Sequence, residues 1–236
     1  MGKPVVFLDF DGVICDSVDE CFVSSWMSYS HYRESEPTEV SLSDYQTFRS
    51  YRPFIRGGAD YLLLQRCIDL GIHLSNQDDF DRQVEIVGEK GMDEFHRQFY
   101  AIRTELLKKD KAFWLKLNRF FPEVKQPLHS LTAPAWILTT KEASFAHEII
   151  ISQGFDWSLD KIICSGKERK VEIIENIIEK DQSAVFIDDQ IDHFTGRVDP
   201  RISCYLASWG YVKPEWLKED VEVLTLEGFA ELLGSL

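Results

Sequence analysis

The strongest constraint on the fold is a set of five short apolar runs that are continuous rather than alternating. Their sequences and positions are PVVFLD at 4–9, AWILT at 135–139, KIICS at 161–165, AVFID at 184–188 and ISCYLA at 202–207. Strands that are covered on both faces read in this way, because neither side of the strand meets water. Each run therefore predicts a buried strand of a parallel sheet.

Helical patterns lie between the later runs. EASFAHEIIISQG follows the second run and stops at Gly154, a plausible helix end. KERKVEIIENIIEK follows the third run, and its isoleucines form one apolar stripe made of Ile173, Ile174, Ile177 and Ile178. LEGFAELL near the end predicts a last helix. This alternation predicts an α/β fold with a doubly wound, mainly parallel sheet and right-handed crossovers.

The stretch between the first and second runs has no clear strand pattern. Most of it is helical by pattern, with breaks predicted near Gly88 and Gly91. It is too long for an ordinary connection inside a sheet domain. We therefore predict an inserted α-helical cap domain over 17–130 and a core made of 1–16 and 131–236, with hinges near Ser17 and Leu131.

Side chains capable of chemistry follow the first four runs. In chain order they are Asp9, Asp11, Thr139, Thr140, Lys141, Lys167, Lys170, Asp188, Asp189 and Asp192. Parallel strands end at one edge of their sheet, which is where open α/β sheets bind ligands, so we expect these groups to gather there. Each of them alone would also suit an ordinary turn. The ordered set favours a functional site.

In this order, the motifs DFDGV, ILTTK, a lysine that begins a helix, and VFIDDQID resemble those of the haloacid dehalogenase-like hydrolase superfamily. The chain is similar to the phosphoglycolate phosphatase and β-phosphoglucomutase branch, which carries a helical C1-type cap after the first motif and a segment like LASWGYVKPEWL. The resemblance implies a Rossmann-like core and a Mg²⁺-dependent phosphatase of a small phosphorylated metabolite. A phosphomutase of a sugar phosphate and a non-catalytic binding protein with the same fold are the alternatives.

The resemblance also implies roles for the first motif. Asp9 would attack phosphorus and form an aspartyl-phosphate, and Asp11 would donate a proton to the leaving alcohol and then activate water. Two residues apart on an extended segment, their side chains would share a face. Gly12 would let the backbone approach the phosphate closely. Dehalogenases of the family lack the second acid, so Asp11 favours phosphoryl transfer.

The second and third motifs would bind the phosphate. By resemblance, Thr139 would hydrogen-bond a phosphate oxygen, and Thr140 stands where relatives often have Asn, although a helix cap is the alternative. Lys170 or Lys167 would balance the charge of Asp9 and of the phosphate. We favour Lys170, because KVEII leads directly into the apolar stripe.

The acids at the strand ends predict a metal ion. Two carboxylates about 4 Å apart repel by about 4 kcal/mol at an effective dielectric constant of about 20. Mg²⁺ would relieve this repulsion, since it prefers oxygen ligands and binds phosphates through one or two carboxylates. The resemblance implies the Asp9 side chain, the Asp11 backbone carbonyl and Asp188 as ligands. For Asp189 and Asp192, a solvated acid is as good an interpretation as a ligand.

The predicted cap carries few interpretable signals. Arg52, Arg56, Gly57 and Gly58 would form a loop that faces the phosphate site, although surface arginines before an ordinary helix are at least as good an interpretation. Its aromatic residues are better explained as cap core than as a ligand cage; they are Trp26, Phe95, Phe99, Tyr100, Phe113 and Trp114.

The net charge limits the classes of molecule that the protein is expected to bind. A formal charge of −14 and a pI of about 4.9 disfavour nucleic acids and anionic membranes, which need basic surface. The cysteines are scattered, the apolar run at the start is too short for a signal peptide, and no segment approaches the roughly 18 apolar residues of a membrane span. We therefore expect a cytoplasmic protein, either a monomer or a homodimer.

Overall fold

In the computed structural model, which describes residues 3–35 and 41–236, all five apolar runs form neighbouring strands of one sheet. The strands in chain order are β1 (Val5–Leu8), β2 (Cys15–Asp16), β3 (Arg119–Phe120), β4 (Ala135–Thr139), β5 (Ile162–Cys164), β6 (Ala184–Asp188), β7 (Ile202–Ala207) and β8 (Glu222–Leu224). The main sheet has the order β5-β4-β1-β6-β7-β8, and every neighbouring pair in it is parallel. The sixth strand, β8, was not predicted, because only one of its three residues is buried.

Nine α-helices surround the sheet or form the insertion in the part of the chain that the structure describes. They are α1 (Val18–Tyr32), α2 (Leu42–Tyr51), α3 (Gly58–Asp69), α4 (Gln77–Lys109), α5 (Lys111–Lys116), α6 (Pro122–Ser130), α7 (Ala143–Ser152), α8 (Lys170–Ile177) and α9 (Leu226–Gly234). The three helices predicted after the second and third runs and near the end are α7, α8 and α9. None of the helices in the described ranges combines the length and apolarity needed to cross a membrane.

Burial explains why the apolar runs are continuous. All four residues of β1 are buried, and β6 is buried along its whole length. The predicted stripe on α8 packs on this sheet: Ile174 and Ile178 are buried, while Ile173 and Ile177 are partly buried against the same cluster. The apolar faces of β1, β4, β6 and α8 thus form one core, which fixes the positions of the strand ends.

The chain divides into two compact units, a core unit up to Asp16 with Arg119–Leu236, and a helical unit, Ser17–Asn118. The second division falls between residues 118 and 119, whereas the sequence predicted it after residue 130. The cause is local. The antiparallel pair β2–β3 joins Cys15 to Phe120 and Asp16 to Arg119, and α6 packs against α9. Residues 119–130 therefore belong with the sheet.

The helical unit consists of α1 to α5. The helical backbone of α4 is interrupted at Gly88, which has a φ of 72° and marks the break that was predicted there, whereas Gly91 stays within the helix. Of the six aromatic residues predicted as cap core, Phe95, Phe99 and Trp114 are buried. Phe113 is 43% exposed, and Trp26 and Tyr100 are half-buried.

A buried ion pair lies at the centre of the helical unit. Glu20 of α1 is fully buried and accepts hydrogen bonds from Nε and Nη2 of Arg103 on α4, at 2.9 and 2.7 Å. Ser24 Oγ and Trp114 Nε1 also donate to Glu20 Oε1, at 2.6 and 3.1 Å. Through these hydrogen bonds, the Glu20 carboxylate ties α1, α4 and α5 together.

Candidate active site

Asp9 directly follows β1 and Asp188 is the last residue of β6, and these two strands are neighbours at the centre of the sheet. From β1 the chain goes first to β4 and β5 on one side, and then to β6, β7 and β8 on the other. The gap between β1 and β6 is therefore the switch point of the sheet, where ligands bind at the carboxyl ends of strands. Asp9 is 6% exposed, and its backbone N–H donates to the Ile187 carbonyl at 2.9 Å.

Lys170, the first residue of α8, reaches both acids. Its Nζ lies 2.9 Å from Asp9 Oδ1 and 2.7 Å from Asp188 Oδ2, and its side chain is 1% exposed. Lys167 lies on the exposed turn before α8. The structure thus brings Lys170, and not Lys167, to the acids. The apolar stripe packs α8 against the sheet, and Lys170 is the first residue of that helix.

Asp189 adds a third buried carboxylate to the two acids that contact Lys170. Asp9, Asp188 and Asp189 each place one carboxylate oxygen so that all three oxygens lie within 4.8 Å of one another. All three residues are buried. Asp192, an exposed residue of the short 3₁₀ helix Ile191–Phe194, is not a member of this group in the described part of the chain.

Burial and crowding change the acid–base properties of the cluster. Burial raises the pKa of Asp9 to about 6; Lys170 opposes this shift, and Asp188 adds to it. Burial also raises the pKa of Asp188, against the effect of Lys170. Burial by itself would lower the pKa of Lys170, but Asp188 and Asp9 raise it above its ordinary value, so this lysine stays charged.

Asp189 is held by the loop after β7. Its Oδ2 accepts the backbone N–H of Tyr211 at 2.6 Å. Gly12 has a φ of 92°, and a Cβ at this position would lie 1.9 Å from Asp189 Oδ2. A Cβ on Gly210 would lie 2.4 Å from Asp189 Cβ. Close packing around Asp189 is therefore a second reason for glycine at position 12, besides the predicted approach of the backbone to a phosphate.

The second acid of the first motif has a lysine of its own. Asp11 Oδ1 lies 3.1 Å from Nζ of Lys141, whose side chain is 2% exposed. Thr139, at the end of β4, is buried, and its Oγ1 accepts the backbone N–H of Lys141 at 3.1 Å. Thr140 is half-buried, and its carbonyl accepts a hydrogen bond from Cys164 Sγ at 3.7 Å.

The sequence matches no family model and no curated protein. Solved structures do match over nearly the whole chain. A predicted phosphatase from Clostridium acetobutylicum has a TM-score of 0.56 at 16% identity, covering 100% of both chains. A predicted phosphoglycolate phosphatase from Haemophilus somnus has a TM-score of 0.57 at 17% identity, with 98% of this chain and 96% of that chain covered.

A haloacid dehalogenase-like family hydrolase from Streptococcus pneumoniae has a TM-score of 0.55 at 17% identity, with 98% of this chain and 97% of that chain covered. This chain has the haloacid dehalogenase-like fold. The resemblance predicted from the motifs is thereby confirmed at the level of the fold, and the α-helical unit is an insertion between β2 and β3 of the core unit.

Arg56 of the helical unit has an acid partner within its own unit. Its Nη1 lies 2.8 Å from Asp81 Oδ1, and its side chain is 47% exposed. The backbone N–H of Arg56 donates to Asp60 Oδ2 at 2.8 Å. The backbone N–H of Gly57, the residue that precedes α3, donates to the same oxygen at 3.0 Å. Its predicted role in substrate binding stays a prediction.

Two core residues received no role from the sequence. Lys141 directly follows Thr139 and Thr140, and this position after a strand end is the sequence feature that could have identified it as a site residue. His193 shows no metal-ligand spacing in the sequence. Burial, and after it Lys170, lowers the pKa of His193 to about 3, so its imidazole is neutral at physiological pH.

Proposed function

We propose that the protein is a Mg²⁺-dependent phosphatase that hydrolyses a small phosphorylated metabolite through an aspartyl-phosphate on Asp9. The observation that carries the proposal is the buried Asp9 carboxylate, which lies 2.9 Å from the Lys170 ammonium, beside Asp188 and Asp189 and two residues from Asp11. An anionic phosphate repels a carboxylate nucleophile, so positive charge must lie beside the two groups, and Lys170 and a bound metal ion would supply it.

Two steps follow from these residues. In the first, an Asp9 carboxylate oxygen bonds to phosphorus while the bond from phosphorus to the alcohol oxygen breaks, and Asp11 gives its proton to that oxygen. In the second, Asp11 takes a proton from water, the water oxygen bonds to phosphorus, and the bond to Asp9 breaks. Phosphate leaves, and both acids return to their starting states.

The donor set fits a magnesium ion. Three buried carboxylates offer oxygens within 4.8 Å of one another, and hard oxygen donors are the ligands that Mg²⁺ prefers. Asp9, Asp188 and Asp189 would hold the ion, which when bound would offset the charge of the acids and of the substrate phosphate. Thr139 Oγ1 and the Lys170 ammonium would bind phosphate oxygens at the same sheet edge.

The test is a screen of phosphorylated metabolites with Mg²⁺, scored by phosphate release. We expect release from at least one small phosphomonoester, and none when Asp9→Asn replaces the parent. Isomerisation of a sugar phosphate without phosphate release would favour the phosphomutase instead. A parent protein that is inert on the whole panel, or an Asp9→Asn variant that is as active as the parent, would contradict the proposal.

A further inference from the structure

Lys141 takes no part in the two steps described above, yet its ammonium is buried. Its side chain is 2% exposed, and its Nζ lies 3.1 Å from Asp11 Oδ1. Removing an ammonium from water costs several kcal/mol, so a buried one needs polar groups close to it. Asp11 Oδ1 is such a group, and Asp11 is the acid to which the proposed reaction assigns the proton transfers.

The lysine has contacts at both of its ends. At the backbone its N–H is bonded to Thr139 Oγ1 at 3.1 Å. At the far end its Nζ lies 5.7 Å from the centroid of the Phe10 ring, within the range of a cation–π contact. An ammonium held from both ends is a preorganised charge that does not have to move during the reaction.

We propose that Lys141 is a positioning residue for Asp11. It holds Oδ1, so that the other carboxylate oxygen is presented to the leaving group. This inference rests on the proposed function. It gives the two buried lysines different partners. Lys170 lies beside Asp9 and Asp188, whereas Lys141 positions Asp11, the proton-transfer residue.

Such a role predicts a change in leaving-group dependence. Phenyl phosphate needs a proton on its departing oxygen more than p-nitrophenyl phosphate does, because nitrophenolate is the more stable anion. The ratio of kcat/KM for phenyl phosphate to that for p-nitrophenyl phosphate reports proton donation, since kcat/KM covers the steps up to departure of the alcohol. A group that only binds phosphate would affect both substrates equally.

The experiment measures this ratio in the parent and in Lys141→Met, which keeps the length of the side chain and removes its charge. We expect the ratio to fall about tenfold or more, within the range that a general acid contributes. Lys213→Met is the matched control, because Lys213 is also a buried lysine of the core unit. Any loss in that variant should be proportional for the two substrates.

A double-mutant cycle tests whether Lys141 acts through Asp11. In an Asp11→Asn background, Lys141→Met should leave the ratio unchanged, because the group that it positions is gone. If Lys141→Met does not fold, Lys141→Gln replaces it in both measurements. Two outcomes would overturn the inference. One is an unchanged ratio in the charge-removing variant, which means equal losses on both substrates, and the other is a further change of the ratio in the Asp11→Asn background. A parent protein inert on every phosphomonoester would instead overturn the proposed function.

Discussion

Each unit of the protein buries a cluster of charges, and the two clusters differ in how well they are paired. In the helical unit, one carboxylate, Glu20, accepts hydrogen bonds from Arg103, Ser24 and Trp114. At the sheet edge, three buried acids lie together, and the ammonium of Lys170 contacts two of them, Asp9 and Asp188. A fully paired buried charge holds a structure together, whereas a buried excess of one sign marks a place built to bind the opposite sign.

The difference has a consequence for stability. Burial raises the pKa of Asp9 from 3.8 to about 6, so folding favours the protonated form of this acid. Its contribution to stability is present below pH 3.8 and is lost as the pH rises through about 6. At neutral pH, and without a bound metal ion, the charge on Asp9 therefore lowers the stability of the fold.

The largest expected effect is that of Asp9→Asn on turnover. The amide is nearly isosteric but a far poorer nucleophile, so we expect kcat to fall by about 10³-fold or more. The metal-free variant should also unfold at the same temperature as the parent or higher, because a destabilising buried charge has been removed. Phosphate release by the purified variant and its thermal midpoint are the measurements.

Either half of this prediction can fail separately. Turnover close to that of the parent, in a preparation free of contaminating phosphatase, would remove Asp9 as the nucleophile. A clear drop in the thermal midpoint would show that Asp9 and Lys170 stabilise the fold as Glu20 and Arg103 do, and the contrast between the two clusters would be wrong.

Metal removal should come next in size. We expect activity to be lost in excess chelator, restored by Mg²⁺, and inhibited by Ca²⁺, which takes more oxygen ligands at longer distances. Mg²⁺ should also raise the thermal midpoint of the parent, because it binds only the folded state. Asp188→Asn should weaken this shift. Full activity after verified metal removal would exclude the proposed metal site.

Glu20→Gln is the counterpart of Asp9→Asn in the other cluster, since both exchange a buried acid for its amide. It removes the charge that Arg103 needs, and breaking a buried pair costs about 3–5 kcal/mol. We expect urea denaturation to show a loss of this order. The exposed pair of Arg56 and Asp81 is the control, and Asp81→Asn should cost no more than about 1 kcal/mol. Equal losses in the two variants would contradict the assigned difference.

The sequence predicted the strands and the sheet edge well for a physical reason. Strands buried on both faces must be apolar throughout. The end of each strand is therefore visible in the sequence as the first polar residue after an apolar run, which is Asp9, Thr139 or Asp188. Pairings between distant short segments leave no such trace. The two-residue strands β2 and β3, which move residues 119–130 into the core unit, were therefore missed.

The site also contains residues that a local sequence pattern identifies and residues that only the pairing of distant segments brings together. Lys170 was preferred over Lys167 because an apolar stripe fixed the start of α8, and the structure places Lys170 against the acids. The pairing of Lys141 with Asp11 needs the spatial relation of β1 and β4, which no local pattern contains. The predicted role of the helical unit in substrate choice is the least accessible property, since none of its residues belongs to a recognised motif.

The smallest expected effect concerns that cap. Arg56 is 47% exposed and is paired with Asp81, so its guanidinium can exchange this partner for a substrate anion at little cost. We predict that Arg56→Ala raises KM for the native substrate several-fold, about 1 kcal/mol, because one charge-assisted hydrogen bond is lost. Hydrolysis of p-nitrophenyl phosphate should change much less, since that compound has no second anion to bind. Arg82→Ala is the matched control, as Arg82 pairs with Asp79 on the same helix as Asp81. Unchanged kinetics of Arg56→Ala on the native substrate would remove this arginine from the site and leave the assignments at the sheet edge intact.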